Sequence, residues 1–176
     1  MKFLISMMAV LCLSSSSFAQ FPTPLPQPGN MTVLANATTA KSNASAAITM
    51  ASSTQTTLTF AICQFPDHWA YFNTNILFNQ NLTNAQVVSA MGVCVDIDNA
   101  LADADAERLL GNPLLIQATQ TWFTGDTQFK NGQYAFATTS FDFAKSDAIA
   151  ANGHFVAGML ALEDASDGFS LLLLFR

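Results

Sequence analysis

The sequence predicts an α+β fold in which an antiparallel sheet packs on one long amphipathic helix. Three observations lead to this prediction. Apolar residues recur at helical spacing from Asn84 onward, large apolar residues alternate with smaller ones from Leu58 to Cys63, and two turn signals in the last third of the chain fit β-hairpins. Together these features predict a single globular α+β domain over residues 58–176.

The predicted strands and helix are placed by local signals. Leu58–Cys63 and the aromatic-rich segment His68–Phe78 are predicted strands. Thr83 and Gln86 form a capping-box pattern at the start of a helix predicted from Asn84 to about Leu110. Gly111 is the predicted stop, and Pro113 is expected to open a shorter helix.

The C-terminal part is predicted to contain two hairpins. Asn131-Gly132 is suited to a two-residue hairpin turn, and Ala165–Gly168 marks a second turn. Between them, Ser146–Asn152 is predicted to form one or two helical turns. The last predicted strand, Phe169–Phe175, is apolar on both faces. Such a strand belongs in the middle of a sheet or at an edge that another molecule covers.

The first residues have the order of a secretory signal peptide. Lys2 precedes the apolar run Phe3–Leu13, and Ser17-Phe18-Ala19 supplies a small-residue cleavage site. The run is shorter than the roughly 20 residues that a membrane span needs. We therefore expect residues 1–19 to be removed and the protein to be secreted, without a membrane span. In a bacterium, the location is expected to be the periplasm or the cell surface.

Residues 20–57 are predicted to be an extended leader. Phe21–Asn30 is rich in proline, and residues 31–57 are mostly Ala, Ser, Thr and Asn. Four asparagines stand in Asn-X-Ser/Thr patterns that accept glycans in a eukaryotic secreted protein but that also arise by chance in such a composition. They are Asn30, Asn36, Asn43 and Asn81.

The charge balance narrows the class of partner. The chain has twelve acidic and six basic residues, and loss of Lys2 with the signal leaves five basic ones. This acidity disfavours nucleic acids and anionic lipids as partners. Only 10% of the residues are charged, so the surface is built largely from uncharged side chains. Such a surface suits secreted proteins and also subunits that pack against each other.

Cys63 and Cys94 remain after removal of the signal, and two cysteines in an oxidising compartment most simply form one disulfide. The alternative is a pair of buried free thiols. Because Cys94 lies on the apolar face of the predicted helix and Cys63 lies on a predicted strand, the two are expected to meet in the core.

The ionisable residues give only weak candidates for catalysis. His68, next to Asp67, is a weak general-base candidate, but no Gly-x-Ser-x-Gly motif presents a nucleophile. A glycosidase pair is conceivable among the acidic residues, but sequence alone cannot bring two of them together. These residues are Asp126, Asp142, Asp147, Glu163, Asp164 and Asp167.

The sequence predicts no metal or cofactor site. Two histidines supply too few ligands for a four-coordinate zinc site. The acidic run that starts at Asp96 fails the spacing of a calcium loop, because Leu101 stands where glycine is needed.

Function is therefore expected to rest on binding. Trp69 and Trp122 are weak candidates for contact residues, because each is predicted to lie near a turn. We expect a secreted, non-enzymatic binding or assembly protein whose partner is another protein or a second copy. The alternatives are a small secreted hydrolase acting on glycan or peptide, and a carbohydrate-binding module.

Overall fold

Small residues recur at alternating three- and four-residue steps along three long stretches of the chain. In the computed structural model, which describes residues 28–175, each stretch is a helix with this pattern on its buried face. The helices are α1 (Pro28–Cys63), α2 (His68–Asn75), α3 (Asn84–Lys130) and α4 (Tyr134–Leu172). A 3,4 spacing keeps one face directed at neighbouring helices, as in left-handed coiled coils.

The three long helices form a bundle. A tight turn at 131–133 joins α3 to α4, with Gly132 at a φ of 76°, so these two helices run antiparallel. Helix α1 lies alongside α4 in the same direction, because Ala44 packs near Phe141 and Leu58 packs near Phe155. The short helix α2 packs on α3 and α4, near the C-terminal ends of α1 and α4.

Alanine and glycine dominate the core and let the helices approach closely. Each of two buried glycines of α3 lies under a phenylalanine of α4: Gly111 under Phe155, and Gly125 under Phe141. Fourteen residues separate the two glycines, and fourteen also separate the two phenylalanines. The packing therefore repeats every second heptad along an antiparallel pair.

The predicted antiparallel sheet is wrong, because no strand occurs between residues 28 and 175. Residues 28–57, expected to be extended, belong to α1, and their alanines supply core contacts. Leu58–Cys63 completes α1, and His68–Phe78 contains α2. An alternation of three apolar residues is too short to distinguish a strand from one edge of a helix.

Of the three positions predicted to interrupt the chain's regular structure, one is a turn and two lie inside helices. Asn131-Gly132 is a turn, but it joins two helices. Ala165–Gly168 lies inside α4, where Ala165 is buried and a Cβ at Gly168 would meet Ile97. Gly111 does not stop α3, which continues through Pro113 to Lys130.

The predicted start of the long helix is confirmed. Helix α3 begins at Asn84, and Thr83 and Gln86 form the expected reciprocal capping box. The Gln86 side chain accepts a hydrogen bond from the Thr83 amide at 2.8 Å. The predicted signal peptide, residues 1–19, lies outside the described residues.

In the part of the chain that the structure describes, no helix is both long enough and apolar enough to cross a membrane.

Candidate functional site

His68 begins α2 and is held by a carboxylate distant in sequence. Its buried ring places Nε2 3.0 Å from Oδ1 of Asp98 on α3. Trp69 donates from Nε1 to the other oxygen of Asp98 at 2.8 Å. Both carboxylate oxygens of Asp98 therefore bind α2, and this cluster fixes the short helix on the bundle.

The neighbouring Asp67 has a different role from the one its position suggests. Its carboxylate caps α2 by accepting from the Ala70 amide at 2.8 Å. Among the described residues, the hydrogen bond of the His68 ring goes to Asp98, and none joins it to a hydroxyl or thiol. The geometry therefore gives His68 a positioning role and presents no nucleophile to it.

The second histidine lies in a separate contact. His154 of α4 has Nδ1 2.7 Å from Oε2 of Glu107 on α3, and both side chains are partly exposed. Nine residues of helix separate Asp98 from Glu107, which is about 13 Å along the axis. The histidines therefore do not form a joint site, and in the described part no group of three His, Cys, Asp or Glu side chains could hold a metal ion.

Asp126 is a buried acid at the other end of the bundle. Lys41 of α1 approaches its Oδ1 to 2.5 Å, and Lys130 approaches its Oδ2 to 2.6 Å. Hydrogen bonds from Lys130 and Lys41 lower the pKa of Asp126, and this effect exceeds the opposing effect of burial. Lys41 also lies 5.4 Å from the Trp122 ring centroid and 5.2 Å from that of Phe129. The cluster ties α1 to α3.

This cluster predicts an acid-sensitive contribution to stability. Because the folded-state pKa is lowered, the contribution is fully present above the unfolded pKa of about 3.9 and is lost as the pH falls through the folded value. We expect Asp126→Asn to lower the free energy of unfolding by about 1 kcal/mol at pH 7, and by less at pH 3. Urea unfolding at both pH values measures the difference. Asp142→Asn, at an exposed acid of α4, is the control; an equal loss for Asp126→Asn at both pH values would contradict the assignment.

Cys63 and Cys94 are separate thiols in the structure. Cys63 is exposed at the end of α1, whereas Cys94 is buried between α2, α3 and α4. Burial, and then the negative charge of Asp98, raises the pKa of the Cys94 thiol to about 11. The predicted Cys63–Cys94 bridge is therefore not formed here, and Cys94 has the environment of an unreactive core thiol.

This arrangement predicts unequal thiol reactivity. In the native protein at pH 8, iodoacetamide is expected to label Cys63 readily and to leave Cys94 unlabelled until urea unfolds the chain. Peptide mass spectrometry measures the labelling at each site. If neither cysteine reacts without a reducing agent but both react after reduction and unfolding, the two cysteines form a bridge in the isolated protein.

The remaining predicted site residues are dispersed. Asn36, Asn43 and Asn81 are exposed, while the side chain of Asn30 lies outside the description; their glycosylation stays a prediction. Trp122 is half-buried against Phe141, with its Nε1 atom buried and without a hydrogen-bond partner. The acids proposed for a glycosidase pair are spread along α4, except Asp126, which binds two lysines.

The exposed surface contains a feature that the sequence analysis missed. One side of α3 carries twelve exposed positions at three- and four-residue spacing, and none of them is charged. We call this surface the α3 stripe. It consists of Val88, Gly92, Val95, Asn99, Ala102, Ala106, Leu109, Pro113, Ile116, Gln120, Phe123 and Thr127. The signal was present in the sequence, but the predicted stop at Gly111 cut it in half.

Grooves between the helices add further apolar surface. One of about 560 Å³ lies between the end of α1 and α4 and is lined by Phe65, Met159 and Leu160, among others. Another, of about 320 Å³, lies between α1 and α3 and shares Ile116 and Phe123 with the α3 stripe. Neither His68 nor His154 lines these two grooves. The residues that line these two grooves are uncharged, except for Glu163 in the larger of the two.

The chain matches no protein-family model, and comparison with curated proteins and with solved structures finds nothing similar to it.

Proposed function

We propose that this protein is a secreted, non-enzymatic binding or assembly protein that acts through the outer faces of its helices. The observation that carries the proposal is the α3 stripe, a row of exposed, uncharged positions on one side of a 47-residue helix. The outer face of a helix that meets only water normally carries charged residues. A stripe without them favours contact with another molecule.

The energetics of exposure support the same proposal. Within the stripe, Phe123 is 61% exposed, Ile116 59% and Leu109 56%. Full burial of such a side chain is favourable by about 1.5–3 kcal/mol, so covering even part of the row provides a substantial driving force. Contiguous apolar patches of more than a few hundred Å² are rare on monomeric proteins and mark interaction sites.

The hydrolase alternative has less support from the geometry. His68 is buried, and its carboxylate partner Asp98 also accepts a hydrogen bond from Trp69. Both carboxylate oxygens of Asp98 are therefore already paired. The contact between His154 and Glu107 lies on a different part of α3. The carbohydrate-binding alternative needs a flat, exposed aromatic row. Trp69 and Trp122, however, belong to different clusters and are both partly buried.

The proposal is tested on the secreted protein from residue 20 onward. Light scattering over a hundredfold concentration range measures self-association, and affinity capture from the extracellular fluid of its source measures binding to other proteins. A variant with Leu109, Ile116 and Phe123 all changed to Ser is the comparison. We expect the wild type to associate or to capture a defined protein, and the variant to lose that property. A monomer that captures nothing would overturn the proposal, and His68-dependent cleavage of glycan or peptide substrates would favour the hydrolase alternative in its place.

A further inference from the structure

We infer that the α3 stripe is the interface of an antiparallel dimer of this chain, in which the α3 helices of two copies pack against each other. The inference rests on the proposed function and names the partner, a second copy. It follows from three properties of the stripe: its size pattern, the placement of charges beside it, and its area.

The size pattern is self-complementary. The C-terminal half of the stripe carries its largest side chains, Leu109, Ile116 and Phe123, whereas the N-terminal half carries smaller ones. When a twofold axis passes between residues 107 and 108, Phe123 of one copy lies opposite Gly92 of the other. The next large residues then face small or medium ones, since Ile116 lies opposite Asn99 and Leu109 lies opposite Ala106.

The chain already uses this packing inside its own bundle. Helices α3 and α4 also run antiparallel, and Phe155 lies directly over Gly111 there. At Gly92 the equivalent space is open, because an added Cβ would have no neighbour within 4 Å. A phenylalanine ring from a second copy therefore has room over Gly92.

Charge placement selects the antiparallel orientation. Exposed acidic residues flank the N-terminal half of the stripe, whereas residues 109–125 contain no charged side chain and the following Asp126 is buried and bound to two lysines. An antiparallel pair therefore places each acidic half beside the uncharged half of the other copy. A parallel pair would place like charges beside each other, at a cost in free energy. The exposed flanking acids are Asp96, Asp98 and Asp103, of which Asp98 binds α2, and the partly buried Asp105 pairs with Arg108.

The area is sufficient for a specific dimer. A helical segment from Val88 to Thr127 is about 60 Å long, and a contact about 10 Å wide covers roughly 600 Å² on each copy. The total of roughly 1,200 Å² is at the lower end of specific protein interfaces. We therefore expect a dimer that dissociates on dilution rather than a permanent one.

Sedimentation equilibrium of the secreted chain tests the interface. We expect a monomer–dimer equilibrium that Phe123→Asp weakens at least tenfold. The matched control is Phe143→Asp on α4, because Phe143 is 63% exposed and Phe123 is 61% exposed. The control is expected to dimerise like the wild type, and circular dichroism verifies that both variants keep their helices. The inference would be overturned if both variants weakened the dimer equally, or if neither variant weakened it.

Crosslinking tests the orientation. In a Cys63→Ser background, Asn99→Cys and Ile116→Cys chains are mixed and treated with a short bis-maleimide, while Cys94 stays buried. The antiparallel pairing predicts crosslinks between the two kinds of chain, and few between identical chains. Predominant crosslinks between identical chains would show parallel pairing and overturn the inference.

The outcomes separate this inference from the proposed function. A wild-type chain that stays monomeric at all concentrations but captures another protein overturns the dimer and leaves the proposed function in place. An oligomer that is insensitive to Phe123→Asp likewise rejects the stripe as its interface. A monomer that captures nothing overturns both.

Discussion

Replacing Phe155 by alanine is expected to lower the free energy of unfolding by about 3–5 kcal/mol. Phe155 is fully buried in a cluster that joins all three long helices, with Leu58 of α1 and Leu115 of α3 among its neighbours. Its ring fills the space above Gly111. Because a glycine has no side chain to move into the cavity, the site cannot repack well. Urea unfolding followed by circular dichroism measures the loss.

Phe143→Ala is the matched control, because it makes the same chemical change on the same helix at a side chain that is 63% exposed. Its expected effect is within about 0.5 kcal/mol, as is usual for surface substitutions. A loss below about 1 kcal/mol for Phe155→Ala would contradict the close approach of α4 to α3. Equal losses for both variants would show that the faces of α4 are assigned incorrectly.

The features that could be predicted from the sequence are those that depend on neighbouring residues. The capping box of Thr83 and Gln86 involves contacts within one turn, so its pattern placed the start of α3 correctly. Asn131-Gly132 was correctly identified as a turn, because Gly132 adopts a positive φ that glycine tolerates well. The elements on either side of that turn are determined by packing, and the prediction of strands there failed.

The bundle itself was missed because its core is built from alanine. Ala37, Ala44 and Ala51 follow a heptad spacing along α1, but their side chains are too small to stand out among Ser and Thr. Such residues gain burial only when a second helix approaches closely. That condition depends on Phe141 and Phe155 of α4, about a hundred residues away in the sequence. A prediction based on local patterns of large apolar residues therefore misses this core.

The polar cluster of α2 shows the same limit. Sequence proximity pairs His68 with Asp67, but the structure pairs it with Asp98, thirty residues away. Asp67 instead caps the helix that His68 begins. A carboxylate beside a histidine in sequence thus indicated a helix start, while the partner that holds the ring comes from tertiary packing.

The effect of a glycine-to-alanine substitution on stability depends on which face of the helix the glycine occupies. Gly111→Ala is expected to lower the free energy of unfolding by about 1–3 kcal/mol, since the new Cβ would overlap the ring of Phe155. Gly153→Ala is expected to raise it by up to about 1 kcal/mol, because a Cβ there has no neighbour within 4 Å and alanine favours the helix. Thermal and urea unfolding of the two variants measure both signs.

The double variant Gly111→Ala/Phe155→Leu then tests whether the clash is the cause. Leucine is smaller than phenylalanine and leaves space for the added methyl group, so the combined loss is expected to be smaller than the sum of the two single losses. If the loss in the double variant equals the sum of the two single losses, the cost of Gly111→Ala arises elsewhere in α3 and not from contact with Phe155. A stabilising effect of Gly111→Ala, like that expected at Gly153, would mean that the backbones of α3 and α4 lie farther apart than the Gly111–Phe155 contact requires.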